Sequence, residues 1–569
     1  AGFPNAAIQT ALDYTGVKPE EIEVVAYPFL THDQEMSAIA KNIAESAVAS
    51  KPLAQGNVRD LMVQARAKVP IRNGAVHGLA DPNQRMKKGL LKRLAYRFLG
   101  GDSSVGRAVG ERLINDWAKR SEGEHRKWQE ELERGVKSLG LQDKLRRYEH
   151  HASHAANSYF ASGFDRALIV TLDGYGSGLC GAINIGEGGK IQRLHGFPFP
   201  YSLGQFYENV TSALGFRPDR HAGKIVGLAA YGDPLVLDDV LRACMRFEDG
   251  EFRVAGNFNY FVGRALAAEF PMIDVAAAYQ TLLEVAACEV ISYWVKKTGC
   301  DAVVLSGGVT ANVKMNQRIH EIDGVEKTYV YPNMGDGGCG TGLGYLLTRK
   351  APGPRLDSAY LGPDYSEEQI AAALKAEDLE FSKPDNLAAE VASAIFNGKV
   401  VARFGGRMEY GPRALGNRSI MYHAKEPEVN QWLNKRLGRT EFMPFAPVTL
   451  YEERERCYEN LSGAEHAAEF MTITFDCTPW MKENCPAAVH VDGTARPQLI
   501  RRDLNPGYYD IVKEYDKLAG VPCLINTSFN MHEEPIVCSP QDAVRAFLDG
   551  RLDMLAIGPF LVPQPANPD

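Results

Sequence analysis

The chain has 569 residues, 45% of them hydrophobic and 24% charged, which predicts a globular protein with more than one domain. Its net charge of -8 argues against bulk nucleic-acid binding. The sequence contains no run of eighteen apolar residues, so it predicts no membrane span. Ten scattered cysteines without a C-x-x-C pair argue against a zinc ribbon or a disulfide framework and favour a reducing cytoplasm. No signal peptide is visible, and the missing initiator methionine indicates that the natural start lies upstream.

The N-terminal quarter of the chain is predicted to be mostly helical and locally basic. A helix and a strand at residues 22–27 come first, and polar helical sequence then extends from about 34 to 149. Within it, the run from Arg85 to Leu94 mixes lysine and arginine with leucine, which suits a membrane surface or a phosphate-bearing ligand. A solvated helix face is the favoured interpretation of the same pattern.

Two histidines four residues apart form a candidate metal site. His150 and His154 would share one face of a helix, close enough to bind a common ion. Asp173 follows an apolar run at residues 167–172, which predicts a buried strand whose end faces a ligand. These three side chains make a partial ligand set for iron, manganese or zinc, although a solvated histidine cluster fits the spacing equally well.

Glycine-rich turns follow two of the predicted strands. Gly307 and Gly308, after the strand predicted at residues 302–306, let the backbone approach a phosphate. Asp336 lies in the second turn, where it is either a further metal ligand or a turn aspartate bonded to its own backbone. Lys224, between a glycine and a helix, is either a phosphate contact or a lysine at a helix end.

A proline-rich linker at residues 351–358 precedes a second predicted α/β unit. Apolar runs predict strands there at residues 400–404, 446–450, 471–475 and 523–526. Because short strands also alternate with helices and glycine turns from 150 to 345, the predicted fold class of the whole chain is α/β.

Arginine and lysine recur beside rigid Gly/Pro turns in the second unit. Arg413 and Arg418 lie within residues 408–419, and Arg496 follows an Asp-Gly turn. The arginine fork binds planar oxyanions such as phosphate and carbamate at two points. A surface ion pair is the commoner role of a single arginine, but recurrence beside turns favours a focused positive pocket.

Taken together, these motifs resemble carbamoyltransferases of the nodulation and antibiotic-tailoring type. The matching segments are His150-x-x-x-His154, Leu172-Asp173-Gly174, Pro200-Tyr201-Ser202-Leu203-Gly204, Gly223-Lys224, Ser306-Gly307-Gly308, Gly335-Asp336-Gly337, Ala414-Leu415-Gly416-x-Arg418-Ser419, Asp492-Gly493-Thr494-x-Arg496-Pro497 and Asn526-Thr527-Ser528-Phe529-Asn530. The resemblance implies an actin-like ATPase domain over residues 1–350, with a helical insertion at about 50–145, followed by a YrdC-like α/β domain over 360–569.

The same resemblance implies the roles of the site residues. Four would hold a divalent metal, most often iron and otherwise manganese or zinc: His150, His154, Asp173 and Asp336. Six would bind the nucleotide: Lys224, Gly307, Gly308, Asn312, Gly335 and Gly337. Six in the second domain would bind carbamoyl phosphate and the phosphates of ATP, with its Mg²⁺: Arg418, Lys435, Arg439, Arg496, Ser528 and Asn530.

The chain departs from the family pattern at two places. The family opens with a β-hairpin that would precede Phe3 and Pro4, and its absence favours a sequence that lacks its natural start. Ala222 stands where relatives usually carry a glutamate before the Gly-Lys pair, so no acidic role is assigned there.

We therefore expect an ATP-dependent O-carbamoyltransferase that forms carbamoyl adenylate and transfers its carbamoyl group to a hydroxyl of a small metabolite. The alternatives are carbamoylation of a protein or tRNA, and a nucleotide- and metal-binding relative without transfer activity. We expect no nucleic-acid and no membrane partner, while a homodimer is compatible with the sequence. The helical insertion is either the element of acceptor specificity or, slightly favoured, a scaffold or dimer surface.

Overall fold

The computed structural model describes residues 3–49, 58–72, 79, 81–100, 104–254, 258–438, 442 and 444–565 of a mixed α/β protein. The helices are α1 (Asn5–Thr15), α2 (His32–Ala49), α3 (Val58–Lys68), α4 (Leu90–Leu99), α5 (Ser104–Ser138), α6 (His150–Ser162), α7 (Leu203–Ala213), α8 (Pro218–Ala229), α9 (Asp238–Arg242), α10 (Gly263–Glu269), α11 (Met272–Thr298), α12 (Val313–His320), α13 (Cys339–Thr348), α14 (Glu367–Ala376), α15 (Leu387–Phe396), α16 (Val429–Arg436), α17 (Arg454–Cys457), α18 (Glu465–Ala468), α19 (Pro479–Asn484), α20 (Pro506–Ala519) and α21 (Pro540–Asp549). The strands are β1 (Val25–Tyr27), β2 (Leu145–Arg147), β3 (Arg166–Gly176), β4 (Leu179–Glu187), β5 (Lys190–Pro198), β6 (Met245–Glu248), β7 (Glu251–Val254), β8 (Ala302–Ser306), β9 (Lys327–Val330), β10 (Val401–Phe404), β11 (Arg418–His423), β12 (Ala446–Leu450), β13 (Phe475–Asp476), β14 (Thr494–Ala495), β15 (Gln498–Ile500), β16 (Cys523–Ser528), β17 (Met554–Ile557) and β18 (Phe560–Pro563).

A five-stranded sheet in the order β5-β4-β3-β8-β9 forms the centre of the N-terminal half. β3, β8 and β9 are parallel, whereas β4 and β5 pair antiparallel on the other side of β3. β3 is buried from Ala167 to Leu172, as expected of a central strand rich in branched apolar residues. The strand predicted at residues 302–306 is confirmed as β8, whereas β3 continues past its predicted end to Gly176.

The helix α11 packs against this sheet and is long and apolar enough to cross a membrane by length and composition, with a mean hydropathy of 1.3 over its most apolar window. In the fold, 67% of that window is buried, so packing in the core accounts for its composition. No other helix in the described ranges meets the same test of length and hydropathy.

A seven-stranded mixed sheet in the order β15-β12-β16-β11-β10-β17-β18 forms the centre of the C-terminal half. The strand predicted at residues 446–450 is confirmed as β12, and the one at 400–404 as β10. The strand predicted at 523–526 is confirmed as β16, which continues to Ser528. The predicted linker at 351–358 contains no helix or strand.

The strand predicted at residues 471–475 is wrong for all but its last residue. Met471 has a φ of +56°, and the backbone is irregular until Phe475. Side chains rather than a neighbouring strand bond this segment, because Asn316 Nδ2 donates to the carbonyl oxygen of Thr472 at 2.8 Å and Thr474 Oγ1 donates to Gln317 Oε1 at 2.8 Å. A buried apolar run is compatible with either arrangement, so periodicity did not distinguish them.

The helical N-terminal region is joined to the rest of the fold at its base. β1 and β2 form a parallel pair in which Tyr27 lies opposite Arg147, and α2 to α5 lie between them in sequence. The helical prediction for residues 34–149 is therefore confirmed within α2 to α5, whereas residues 69–72, 81–89 and 139–149 contain no α-helix; residues 50–57, 73–78, 80 and 101–103 lie outside the described residues.

The two halves meet along an interface that is hydrogen-bonded and apolar. Thr328 N donates to the carbonyl oxygen of Gly463 at 2.9 Å, and a continuous apolar cluster includes residues of both sheets. The α/β class is thus observed, whereas the domain limits and the actin-like and YrdC-like arrangement stay predictions.

Candidate active site

Helix α6 carries the two histidines of the predicted metal site. It begins after Glu149, whose carboxylate accepts hydrogen bonds from the backbone N–H groups of His151 (3.0 Å) and Ala152 (2.8 Å). His150 and His154 are fully buried, and their Nε2 atoms lie 3.1 Å apart. The burial excludes the alternative of a solvated histidine cluster at a helix end.

The outer nitrogen of each ring fixes the ring's orientation. His150 Nδ1 lies 3.3 Å from the carbonyl oxygen of Pro28, which can only accept, so Nδ1 carries the proton and Nε2 presents its lone pair. His154 Nδ1 lies 3.0 Å from Ser306 Oγ. Such contacts are typical of metal-binding histidines, because they hold the ring in place and raise its basicity.

Asp173 reaches the histidines from an irregular stretch of β3. The pairing of β3 with β4 shifts register between Leu172 and Gly176, which breaks the regular alternation of side chains there. Asp173 Oδ2 is 3.0 Å from His154 Nε2 and 3.5 Å from His150 Nε2. Burial alone raises the pKa of this carboxyl, but the two imidazoles outweigh it and hold the pKa well below its usual range.

Asp336 and Cys339 complete the cluster from the turn before α13. Asp336 Oδ1 lies 3.6 Å from both Nε2 atoms, and its side chain is 65% exposed, which leaves this side of the cluster open to a ligand. Cys339 Sγ is buried 3.5 Å from His154 Nε2. Nothing in the sequence singles out this thiol, because a lone cysteine among glycines predicts only a small buried side chain.

The spacing of these donor atoms fits a divalent metal. Metal–nitrogen and metal–oxygen bonds of about 2.0–2.1 Å put neighbouring ligand atoms about 3.0–3.4 Å apart. The distances that join the two Nε2 atoms to each other and to Asp173 and Asp336 range from 3.0 to 3.6 Å. Asp173 Oδ2 is also buried without a well-aligned hydrogen bond among the described residues. The residues fit the metal that the resemblance implies, and its binding stays a prediction.

The protonation of the cluster is set by its carboxylates. Burial alone lowers the pKa of His154, but Asp173, Asp336 and Cys339 hold that pKa well above its usual range. The neighbouring His151 has a pKa well below its usual range, because burial and the imidazoles of His150 and His154 disfavour its charge. A metal ion that bound here, as the resemblance implies, would have to displace a proton from His154.

Gly307 and Gly308 pack directly against the backbone around Asp173. Gly307 has a φ of +99°, and a Cβ there would lie 2.2 Å from the carbonyl oxygen of Leu172. A Cβ on Gly308 would lie 3.1 Å from Asp173 Oδ1. Only glycine lets the turn after β8 approach β3 this closely, so both residues help to position the carboxylate.

The other predicted nucleotide contacts are spread over three elements. Gly335 and Gly337 lie in the turn before α13, and a Cβ on Gly335 would meet nothing within 4 Å. Lys224 is buried on α8. The amide of Asn312 is paired with that of Gln280 through hydrogen bonds of 3.0 and 2.9 Å, so its side chain is engaged within the fold. The nucleotide-binding role of these residues stays a prediction.

The N-terminal helical region supports the metal cluster from one side. The buried carboxylate of Glu35 accepts hydrogen bonds from Tyr175 Oη (2.6 Å) and Ser177 Oγ (2.9 Å), both close to Asp173 in the chain. The ring of Phe29 lies 4.6 Å from that of His150. No motif marks Glu35 or Phe29, because their role comes from contacts between segments far apart in the sequence.

A cavity of about 600 Å³ lies between the two halves of the chain. Its polar lining includes Arg220 and His221 on α8, and in the C-terminal half two arginines, several short polar side chains, a histidine and two carboxylates: Arg413, Arg496, Asn526, Thr527, Ser528, Asn530, His532, Glu533 and Glu534. Ser528 Oγ donates to Asn530 Oδ1 at 2.6 Å, and Asn530 Nδ2 donates to the carbonyl oxygen of Glu534 at 2.8 Å. The structure thus brings together three of the six residues predicted for the second site: Arg496, Ser528 and Asn530.

Arg413 lines this cavity although the sequence assigned it no role beyond its motif. Burial lowers the pKa of its guanidinium to about 10. Its Nε atom is buried without a hydrogen-bond partner among the described residues, and Nη2 lies 3.5 Å from the carbonyl oxygen of Ala311. A desolvated and weakly bonded guanidinium beside a cavity is suited to an incoming anion.

Two of the other predicted cations of the second site, Arg418 and Lys435, are not among the described residues that line the cavity. Arg418 is fully buried and donates to the carbonyl oxygens of Asn417 (2.8 Å), Gly406 (3.2 Å) and Gly405 (3.3 Å). Its guanidinium also lies 3.7 Å from the centre of a phenylalanine ring in β10. Lys435 is exposed on α16, and Arg439 lies outside the described residues. Their predicted binding roles are untested.

A second cavity, of about 330 Å³, shares Val226 and Pro444 with the first. On its wall Lys314 Nζ lies 2.8 Å from Asp492 Oδ2. Burial raises the pKa of Asp492, but Lys314 outweighs it and brings the pKa to about 2. Burial lowers the pKa of the nearby His490 to about 4, so this imidazole is neutral at physiological pH.

Comparison with known proteins identifies the class of enzyme that carries these features. Residues 1–344 match the family described as Carbamoyltransferase N-terminus, and residues 392–564 match Carbamoyltransferase C-terminus, so the protein is a transferase. The chain belongs to the carbamoyltransferase family.

Relatives resemble the chain over most of its length. It is 34% identical over 435 residues to nodulation protein NolO of Bradyrhizobium diazoefficiens, covering 73% of this chain and 78% of that protein. It is 30% identical over 475 residues to the uncharacterized protein sll1178 of Synechocystis, covering 74% of this chain and 76% of that protein. Among solved structures, T. kodakarensis HypF is 19% identical over 38% of each chain with a TM-score of 0.24, which is too low to support a statement about the fold.

Proposed function

We propose that the protein is an ATP-dependent O-carbamoyltransferase with an actin-like metal site in residues 1–350 and a YrdC-like, adenylate-forming site in residues 360–569. The observation that carries the proposal is the cavity of about 600 Å³ between the halves, whose lining includes Arg220, Arg413 and Arg496. Three guanidinium groups beside short polar side chains suit a ligand with several phosphates and a carbamoyl group.

The first proposed step makes carbamoyl adenylate. Carbamoyl phosphate is hydrolysed to carbamate and phosphate, and a carbamate oxygen then attacks the α-phosphorus of ATP. A new O–P bond forms, the α–β phosphoanhydride bond breaks, and pyrophosphate leaves. Arg413 and Arg496 would stabilise charge on the pentacoordinate phosphorus and on the leaving group, while Ser528 and Asn530 orient the phosphates.

The second proposed step transfers the carbamoyl group. An acceptor hydroxyl attacks the carbonyl carbon of carbamoyl adenylate, AMP leaves, and the hydroxyl proton is released. A divalent metal held by His150, His154, Asp173 and Asp336, with the Cys339 thiol as a further donor, would supply Lewis-acid polarisation. The exposed face of Asp336 leaves room for substrate, while the buried histidines and Asp173 keep water from the other side.

We propose a small hydroxylated molecule as the acceptor. The net charge of -8 disfavours a nucleic-acid acceptor.

The first experiment omits the acceptor. The protein is incubated anaerobically with ATP, carbamoyl phosphate, Mg²⁺ and ferrous iron, and carbamoyl adenylate and pyrophosphate are measured by mass spectrometry. We expect both products from the wild type and from His154→Ala, but at least a tenfold loss in Arg496→Ala. Arg502→Ala is the matched control, because Arg502 is a 68% exposed arginine paired with Asp510 at 3.0 Å. The absence of adenylate from the metal-loaded wild type would overturn the two-step proposal.

A further inference from the structure

Helix α4 carries its apolar face away from the protein. Leu90, Leu91, Leu94 and Phe98 are 69%, 83%, 54% and 47% exposed. Their spacing puts them on one face of the helix, whereas Tyr96, on the other side, packs against the main apolar cluster. A helix that covers the core of a protein has the opposite orientation, so this apolar face is available to something outside the chain.

The apolar face is bordered by positive charge. Residues 85–97 contain six cations, Arg85, Lys87, Lys88, Lys92, Arg93 and Arg97, and no acidic residue, in a chain of net charge -8. Within the described part of the chain, none of the six forms an ion pair with a carboxylate. A leucine-rich face flanked by unpaired lysine and arginine matches the boundary between the headgroups and acyl chains of an anionic bilayer.

The segment is attached firmly to the N-terminal half. Met86 N donates to the carbonyl oxygen of Ala267 at 2.9 Å, and Met272 N donates to the carbonyl oxygen of Gln84 at 2.9 Å. These bonds fix the chain just before α4 onto α10 and α11. The helix is therefore a fixed ridge on the surface, whose docking would hold the whole protein in one orientation.

Charge and shape favour a lipid surface over a second copy of this chain. A two-fold contact through α4 would bring the same cations face to face, and like charges would oppose the pairing. A convex ridge of about 15 Å also needs a matching groove in a protein partner, whereas a fluid bilayer adapts to it.

We propose that α4 docks the protein onto a membrane surface that contains anionic phospholipids. Leu90, Leu91 and Leu94 enter the acyl boundary, and the flanking lysine and arginine side chains contact the phosphates. Phe98, whose ring centre lies 5.1 Å from the guanidinium of Arg59, borders the leucines. The sequence by itself favours a solvated helix face for this run. The outward orientation of the leucines is the observation that changes the interpretation.

The test is co-sedimentation of the full chain with vesicles of phosphatidylcholine alone or mixed with phosphatidylglycerol. We expect binding only to the mixed vesicles, weakened by added salt, and at least a tenfold loss of affinity in the double variant Leu91→Glu/Leu94→Glu. The matched control is Leu235→Glu, because Leu235 is a 67% exposed leucine elsewhere on the surface. A second variant, Lys87→Glu/Lys88→Glu, should lose binding without changing any apolar side chain.

Two results would overturn the proposal. One is a wild type that does not bind the mixed vesicles, or a double leucine variant that binds them equally well. The other, by light scattering after size-exclusion chromatography, is a wild-type dimer that Leu91→Glu/Leu94→Glu converts into a monomer, which would assign the face to self-association. Circular dichroism and the melting temperature of each variant establish that the substitutions leave the fold intact.

Discussion

The Nε2 atoms of His150 and His154, two fully buried side chains, face each other at 3.1 Å. Two lone pairs at this distance repel each other unless a proton or a metal ion lies between them. The nearby carboxylates of Asp173 and Asp336 favour a positive charge between the two nitrogens, whether a proton or a metal ion supplies it. These side chains are thus already arranged as the proposed metal site requires.

The donor set predicts a spectroscopic signature. Cys339 Sγ lies 3.5 Å from His154 Nε2, the separation expected of sulfur and nitrogen on one ion with bonds of about 2.3 and 2.0 Å. Cobalt(II)-loaded protein should therefore show thiolate-to-metal charge-transfer absorption in the near ultraviolet, and Cys339→Ser should lose that band while still binding cobalt. Cobalt bound without the band in the wild type would remove Cys339 from the ligand set. Failure of cobalt to bind at all would instead remove the metal site.

Two glycines near the end of β3 should respond differently to the same added methyl group. A Cβ on Gly176 would lie 2.1 Å from Cδ2 of His150, whereas a Cβ on Gly174 would meet nothing within 4 Å. We expect Gly176→Ala to weaken cobalt binding at least tenfold, because the His150 ring must move, and Gly174→Ala to retain wild-type affinity. Titration followed by absorption measures both, and equal affinities would show that the ring position is unimportant.

Substitution of Arg418 should mainly lower the stability of the protein, whereas substitution of Arg413 should mainly lower its activity. Arg418→Ala leaves buried carbonyl oxygens without donors, so we expect a loss of about 3 kcal/mol or more in the free energy of unfolding, measured with urea. Arg413→Ala removes a weakly bonded guanidinium, so stability should change by less than about 1 kcal/mol while pyrophosphate release falls at least tenfold. The reverse pattern would move the phosphate site towards Arg418.

His490 should make stability depend on pH in a defined window. Its pKa is about 4 in the folded protein and near 6.5 when unfolded, so between these values the unfolded state binds the extra proton and stability falls as pH falls. The loss reaches at most about 3 kcal/mol below pH 4. Asp492, with a pKa of about 2, contributes stability that is lost only below about 3.8. Between pH 6.5 and 4, the free energy of unfolding of His490→Gln, measured with urea, should depend less steeply on pH than that of the wild type, and below pH 4 the two should have the same slope. A variant with the wild-type slope between pH 6.5 and 4 as well would contradict the assignment.

Sequence patterns predicted the elements whose residues depend on local spacing. The strand after Asp301 and the helix bearing His150 and His154 follow from an apolar run and a four-residue interval. Gly307 was predicted to let the backbone approach a phosphate; in the structure it lets the turn after β8 approach Leu172, and its phosphate role stays a prediction. The strand and the helix are encoded within a few residues of one another, and each was found where its pattern predicted it.

Contacts between distant segments could not be predicted in the same way. Glu35 bonds Tyr175 across 140 positions, and no pattern around either residue indicates the other. Arg413 and Arg418 belong to one motif, yet only the fold shows that one lines a cavity while the other is bonded to carbonyl groups. Residue type gives the chemistry of a side chain, whereas its neighbours decide whether that chemistry is used for binding or for stability.

The helices α2 to α5 follow β1 in the chain and end at β2, which pairs with β1 in parallel. Tyr27 and Arg147 are opposite each other in this pair, so the segment between them is an insertion whose two ends lie side by side. Lengthening such an insertion costs little, since each doubling of a flexible loop adds only about 0.6 kcal/mol of closure free energy. Evolution can therefore rebuild the outer helices, including α4, as long as the contacts of Pro28, Phe29 and Glu35 with the candidate metal site are kept.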